Sequence, residues 1–297
     1  TSNRLTMTTT IMTEEASAHQ GTDNNGVSKE TVTPTEMIHL TFEGNFQLEC
    51  DAKLLSFKEE EGGVVTIQLD RTSMHPQGGG QPSDRGVLKA NDTTVVNITK
   101  VTVDRASGVV THAGTISSAI TEDNGKPAPL LEVGQSIHVS VDSDERQILS
   151  ECHTAGHVVD SAMARCDRIL PPSKGYHFLD GPYVEYKGKI APEEKEELLG
   201  KLQTAFKDLV EEDIETKIET MSKQDAEELC SRVQDNVNLD DFGTGDMRIV
   251  TVAGWPCPCG GTHVRSTNYL KERKWGITGI KSKKGVVRVK YGQNVEA

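Results

Sequence analysis

Two short segments about a hundred residues apart carry metal-binding types of side chain, and a chain that uses both must fold to bring them together. The first, ECHTAGH, holds His153 and His157; the second, CPCGGTH, holds Cys259 and His263. Side chains four apart on a helix share one face, with Cβ atoms about 5–6 Å apart, so two imidazoles can close on one ion. In the second segment Gly260 and Gly261 allow a sharp turn on which a thiolate and an imidazole converge. Zinc takes nitrogen and thiolate ligands tetrahedrally, so three imidazoles and one thiolate would complete its shell, and one Zn2+ per chain is expected. Taken singly, each pair has a plainer reading, as a core or surface histidine pair and an ordinary β-turn. Cys257 adds a second thiol that could ligate.

The pattern around these segments divides the chain in three. Residues 1–36 are rich in Thr, Ser, Asn and Glu, have few apolar positions, and read as a disordered tail. Residues 37–142 read as strands and tight turns. Ala52–Phe57 and Val64–Asp70 are joined across EEEGG as a hairpin, and Thr94–Val103, Gly108–His112 and Gln135–Val141 are further strands. Several short strands with glycine turns suggest a small barrel. Residues 143–297 mix helices with strands. Apolar positions from Ile148 to Met163 follow a 3.6-residue period, with Ser143 or Asp144 as the cap, so His153 and His157 fall in mid-helix. A second helix runs from Pro192 to about Glu212, and Ser222 with Asp225 starts a third. Ile214–Met221 and Met247–Ala253 read as strands, the latter leading straight into CPCGGTH, and Ile277–Tyr291 as a hairpin over KKG. The expected class is α+β: a small N-terminal β-barrel, then an α/β two-layer domain with an antiparallel sheet.

Composition narrows the function. The formal net charge is -13, which argues against a generic nucleic-acid binder. From Arg265 to Lys290, however, nine Lys or Arg stand with a single acid, Glu272, a local basic run that either contacts RNA or is a solvated edge hairpin. The six cysteines do not form a disulfide framework in a chain this long, so a reducing, cytoplasmic compartment is expected. An organelle transit segment is opposed by Glu14, Glu15 and Asp23 and by the shortage of arginine near the start. No run approaches the length of a membrane span.

A third segment, DRTSMHPQGGGQPSDRG, lacks the GK[ST] ending of a phosphate loop. Gly78, Gly79 and Gly80 leave backbone N–H groups bare for close approach, Gln81 follows as donor and acceptor, and Thr72 ends the preceding strand with a hydroxyl. The plain reading is a long barrel loop.

In this order the three elements resemble the editing domains of alanyl-tRNA synthetase, and still more the free-standing alanyl-tRNA editing proteins. The threonyl-tRNA synthetase editing domain shares the HxxxH…CxxxH pattern. The resemblance runs from about Ile38 to Tyr291 and is carried by GGGQPSDRG, HTAGH, GYHFLDGPYVEY and PCGGTHV. It implies a β-barrel followed by an α/β editing domain, zinc on His153, His157, Cys259 and His263, and hydrolysis of the ester in mischarged tRNA for alanine. Cys259 is preferred to Cys257 because its spacing to His263 matches the family. One departure is Met74 and His75, where the family usually has two aromatics before the loop proline. The class II synthetase motifs are absent, so a whole synthetase is not expected.

Physical selectivity explains the need for such a hydrolase. A pocket for alanine cannot exclude glycine and rejects serine poorly, by about a hundredfold, so a second site must remove the errors. That site must pair serine's hydroxyl and leave a polar group unpaired when alanine enters; Thr72 and Gln81 are the candidates. Zinc would position the substrate or activate water. Lys281, Lys283 and Lys284 are the expected tRNA contacts, and the partner is tRNA for alanine charged with serine or glycine. Two other readings stay open: a zinc-stabilised tRNA-binding module without catalysis, and a zinc hydrolase of small esters or peptides. The second is weakened because HTAGH lacks the glutamate of HExxH.

Overall fold

Residues 33–90, 94–118, 131–234, 239–240 and 245–296 are described in a computed structural model. The expected tail over 1–36 lies, up to residue 32, outside them. A short strand β1 (Glu36–Met37) leads into β2 (Glu49–Glu59), which alternates buried Cys50, Ala52 and Leu54 with exposed Glu49, Asp51 and Lys53. The expected hairpin follows, with Gly62 and Gly63 both at positive φ before β3 (Val64–Leu69). Then come β4 (Arg71–Thr72), β5 (Gly86–Lys89), β6 (Val95–Val103), β7 (Val110–Ser118) and β8 (Ser136–Val141). Six of these close as a barrel in the order β2-β3-β7-β6-β5-β8. The barrel expected from the strand pattern is therefore present. Its interior is apolar, with Leu54, Ile67, Leu69, Val101 and Val139 fully buried. Register shifts in β2 and β6 mark the bulges that let a sheet bend into closure.

Helix α1 (Ser143–Arg165) starts where the barrel ends. Its cap is Asp142, not Ser143 or Asp144: the Asp142 carboxylate accepts from the N–H groups of Asp144 and Glu145 at 3.1 and 3.0 Å. Capping requires the residue one step before the first helical turn, and Ser143 is already inside that turn. Next come β9 (Pro172–Tyr176), β10 (Tyr183–Lys187), α2 (Lys195–Glu211), β11 (Lys217–Met221) and α3 (Lys223–Ser231), whose cap is Ser222 as expected. The chain continues through β12 (Met247–Val252), β13 (Trp255–Pro258), β14 (Gly276–Lys283) and β15 (Val286–Gly292).

The antiparallel strands of this half divide between two sheets, ordered β14-β15-β10-β9 and β11-β12-β13. Helices α1 and α2 pack together, and against the inner face of the four-stranded sheet. Strand β12 does not lead straight into CPCGGTH. The chain reverses at Ala253–Gly254, both at positive φ, and returns as β13, so Cys257 lies in a strand and Cys259 just beyond it. Among the described residues, no helix is long and apolar enough to cross a membrane.

A buried ion pair ties α1 to the loop after β4. Arg146 Nε donates to both Asp84 oxygens at 3.0 and 3.1 Å, and its Nη2 donates to the Ser73 carbonyl at 2.7 Å. Asp84 also accepts from the His75 N–H at 2.5 Å. Removing one partner of such a pair leaves an uncompensated buried charge, at a cost of about 3–5 kcal/mol. Asp84→Ala is thus expected to lower unfolding stability by about that much in a urea titration. The paired change Asp84→Leu with Arg146→Met should recover part of the loss, because well-packed apolar replacements relieve the desolvation.

Candidate metal centre

Arg146, Ser150, His153 and His157 are spaced four, three and four residues apart, the period of one helical face. They form a polar stripe along α1, while Cys152, Ala155, Val158, Val159 and Ala162 fill the core on its other sides. The stripe faces the glycine loop and the turn after β13. The donor atoms of His153, His157, Cys259 and His263 all lie within 4.8 Å of one another. Cys259 Sγ is 3.5 Å from His153 Nε2 and 3.3 Å from His263 Nε2. A tetrahedral ion with nitrogens at about 2.0–2.1 Å and sulfur at about 2.3 Å has N···S edges of about 3.5 Å. These separations suit ligands that share an ion, and the tetrad can hold one metal. Cys257 stands outside it, with Sγ 3.3 Å from His157 Nδ1.

The ligands are oriented from behind by uncharged groups. An amide oxygen only accepts, so the 2.6 Å contact between His153 Nδ1 and Gln81 Oε1 puts the proton on Nδ1 and the lone pair on Nε2, toward Cys259. Gln81 is itself fixed by Thr262, whose N–H donates to Oε1 at 3.0 Å and whose hydroxyl accepts from Nε2 at 2.9 Å. Ser150 meets the same hydroxyl at 2.7 Å. The Asn45 amide brackets His263, accepting from its N–H at 3.0 Å and donating to its carbonyl at 2.8 Å. Thr154 Oγ1 lies 3.3 Å from His263 Nδ1. Close approach explains two glycines. A Cβ at Gly261 would meet the His153 ring at 2.2 Å, and one at Gly156 would meet the His177 ring at 2.5 Å.

Burial keeps the imidazoles neutral. It pushes His153 and His263 well below the usual imidazole range, helped by the neighbouring histidines, and His157 down to about 4. His177 is held down to about 3 by burial and then by His157; it stacks on His153 at 4.2 Å between centroids and meets the Tyr291 hydroxyl at 2.6 Å. Burial raises the Cys259 thiol, opposed by the Arg248 guanidinium, which donates to the Cys259 carbonyl. Neutral imidazoles offer lone pairs at pH 7, and the thiol must lose its proton when a metal binds.

The structure brings Gln81 to the tetrad directly, and the glycines do so through it. Gly78 and Gln81 exchange backbone hydrogen bonds across a turn in which Gly79 and Gly80 take positive φ. Thr72 is fully buried at the barrel end, where its hydroxyl accepts from the Met74 N–H at 3.1 Å and meets His112 Nε2 at 2.9 Å. His112 Nδ1 lies 3.2 Å from the Ile67 carbonyl, so it carries the ring proton and Nε2 accepts from Thr72. The Met74–His75 departure is absorbed by packing: Met74 is fully buried in the barrel core, and His75 makes an edge contact with His39. Lys281 and Lys283 are exposed on β14 and Lys284 is exposed in the turn that follows it. Asn45, Thr262, His177, Arg146 and Asp84 were not singled out by sequence. His177, Asp84 and Thr262 do lie inside the segments GYHFLDGPYVEY, GGGQPSDRG and CPCGGTH, whereas Asn45 and Arg146 have no such marker.

No family model matches the chain. It is 26% identical over 249 residues to the alanyl-tRNA editing protein AlaX-L of Pyrococcus horikoshii, an alignment covering 82% of this chain and 54% of that protein. It is 26% identical over 208 residues to AlaX-M of Methanosarcina acetivorans, covering 69% of this chain and 80% of that protein. An alanine–tRNA ligase of Prochlorococcus marinus is 30% identical over 211 residues, 71% of this chain and 22% of the ligase. The chain thus spans about half the length of AlaX-L and about a fifth of the ligase.

Metal analysis of the purified protein is expected to find one ion per chain, lost when Cys259 and His263 are both changed to alanine. Gln81→Ala removes the group that fixes the His153 tautomer and should weaken metal affinity by about 10–100-fold without abolishing it. Full retention in the double variant would remove Cys259 and His263 from the ligand set.

Proposed function

We propose that the chain, similar to alanyl-tRNA editing proteins over most of its length, is a member of that family and a zinc-dependent hydrolase. Its substrate is tRNA for alanine mischarged with serine, with the glycine-charged form beside it. The observation that carries the reading is the meeting of Gln81, from the glycine loop, with the metal tetrad at His153. A loop with a mere spacer role would have no reason to reach a ligand 72 residues away. The donor set of three imidazoles and one thiolate suits zinc, which would polarise a carbonyl or lower the pKa of a water once its shell of four protein ligands opened or expanded to admit one.

In this reading the residues divide the work. His153, His157, Cys259 and His263 hold the ion, and Gln81 fixes its nearest imidazole. Thr72 and Gln81 choose between serine and alanine. A hydroxyl has one proton and two lone pairs. Thr72 gives its proton to His112 and one lone pair to the Met74 N–H, and the other lone pair is the acceptor for serine's hydroxyl. Alanine has no such donor, so the discrimination comes from a polar partner left unpaired. Lys281, Lys283 and Lys284 meet tRNA phosphates. The binding-module alternative draws on one observation, that four protein ligands close a zinc shell as structural sites do.

Amino-acid release from serine-, glycine- and alanine-charged tRNA tests the reading. Serine is expected to be freed and alanine spared. Equal rates on all three would defeat the selectivity claim, and no release of serine would favour the binding module. Thr72→Val keeps the shape and should cut the serine preference by about 5- to 150-fold, the equivalent of about 1–3 kcal/mol for one unpaired polar group. Neutralising Lys281, Lys283 and Lys284 should weaken tRNA binding and reduce the slope of log affinity against log salt by about one unit per lost phosphate contact. An unchanged slope would leave the run as a solvated hairpin.

A further inference from the structure

The segment GYHFLDGPYVEY has so far contributed only His177, whose ring points inward to His153. Alternation along β9 and just past it turns the neighbouring Tyr176 and Phe178 the other way. Tyr176 stacks on Phe178 with centroids 4.7 Å apart at 19°, and on Tyr183 of β10 at 5.3 Å and 19°. The Arg288 guanidinium lies over Tyr183, 4.8 Å from the ring centroid. The Tyr176 hydroxyl is fixed by Asp180 at 3.0 and 3.3 Å. All three rings are partly exposed, on the face of the sheet opposite α1 and α2. A fold that wanted these rings for its core would have turned them inward, as it does Tyr186 and Tyr291.

The same face is basic. Register places Tyr176, Tyr183 and Lys290 in one row, and Lys174, Glu185, Arg288 and Lys281 in the next. Glu185 is the carboxylate in those rows, and Arg288 pairs with it at 2.7 Å. Asp180, the other nearby acid, is held by Tyr176. The lysines therefore stand in excess on this sheet of a chain whose formal net charge is -13. Lysine is depleted at the cores of protein–protein interfaces, whereas a polyanion requires it. Stacked aromatics flanked by lysine and arginine suit unpaired nucleotides, since every base has a π-face.

We propose that this sheet face is a stacking shelf for the unpaired nucleotides at the 3′ end of the RNA substrate. An unpaired base extends the ring stack at its Phe178 end, which Tyr176 and Tyr183 hold in place, and the phosphates meet Lys174, Lys281 and Lys290. The shelf adjoins the metal centre: the residue after Tyr176 is His177, whose N–H donates to the Gly80 carbonyl of the glycine loop at 2.8 Å. A strand laid along the shelf reaches the loop at this edge. The proposal rests on the deacylase reading and supplies it with the route by which the charged terminus enters.

The test uses the full chain and two uncharged RNA minihelices of one sequence, one blunt and one with a four-nucleotide 3′ overhang. The overhang form is expected to bind at least about tenfold tighter. With 2-aminopurine in the overhang, fluorescence should be quenched on binding to the unaltered protein. Tyr176→Ile and Tyr183→Ile keep strand-forming side chains. Each should reduce the overhang preference by about fivefold or more, up to its complete loss, leave blunt-RNA affinity and metal content unchanged, and be rescued by Phe at the same position. Equal affinity for the two RNAs, or unquenched 2-aminopurine, overturns the shelf, and neither depends on how a variant folds. So does a parallel loss of blunt and overhang binding in the tyrosine variants. A protein that prefers the overhang yet releases no amino acid keeps the shelf and sinks the deacylase reading; one that releases serine with no overhang preference does the reverse.

Discussion

The buried pair between Arg146 and Asp84 sets where the barrel loop sits relative to α1, and the metal centre inherits that position. Asp84 lies three residues beyond Gln81, and Arg146 lies two helical turns before His153. The ion pair holds the loop against α1 within reach of the Gln81–His153 contact. The guanidinium also reaches the Asn45 and Ser73 carbonyls, so the segment before the barrel is drawn to the same point. Asn45 in turn brackets the backbone of His263. One cation thus brings three separate stretches of chain to the turn that carries Cys259.

Such an arrangement is all-or-nothing. In a low dielectric a polar network rigidifies when every member is satisfied and costs more than an apolar core when half are. Gln81, Thr262, Ser150, Thr154 and Asn45 each make at least one buried hydrogen bond here, and the bonds interlock across 181 and 218 residues of sequence. The tight spacing is paid for in glycine. Gly156 accepts the helix cost of about 1 kcal/mol relative to alanine because a methyl there would strike His177 and the Tyr291 hydroxyl.

This explains what sequence could and could not reveal. Periodicity exposed α1, whose apolar positions repeat at helical spacing, Pro192 marked the start of α2, and apolar and β-branched runs between turns marked most barrel strands. The tetrad was legible because its residue types are rare in that spacing. Strands β9 and β10 were not, since Pro171, Pro172, Gly175, Gly181 and Pro182 are residues typical of loops, although β10 pairs with β15 and β9 with β10. Strand β13 was hidden inside a segment whose cysteines and glycines suggested only a turn. Of the groups behind the ligands, Thr154 and Thr262 sit inside the ligand motifs with nothing in the spacing to show their partners, and Asn45 carries no local pattern. Their roles exist only once residues far apart in sequence have met. Gln81 was singled out for recognising the substrate, and the structure adds the orientation of His153, a task that depends on which atom faces which.

The charge of the centre follows from the same packing. His153, His157, His177 and His263 lie with ring centroids mostly 4–5 Å apart, as for His153 and His177 at 4.2 Å and His157 and His263 at 4.9 Å. Protonating one burdens the next, so burial and mutual repulsion hold them neutral together. Burial favours the neutral Cys259 thiol, opposed by Arg248, and once a metal displaced its proton the thiolate would be the negative group among the ligands. A divalent ion set on three neutral imidazoles and one thiolate keeps net positive charge, unlike an all-cysteine site, which would be overcompensated. A centre of that sign would favour a carbonyl oxygen on which negative charge develops, the condition an ester-cleaving site must meet.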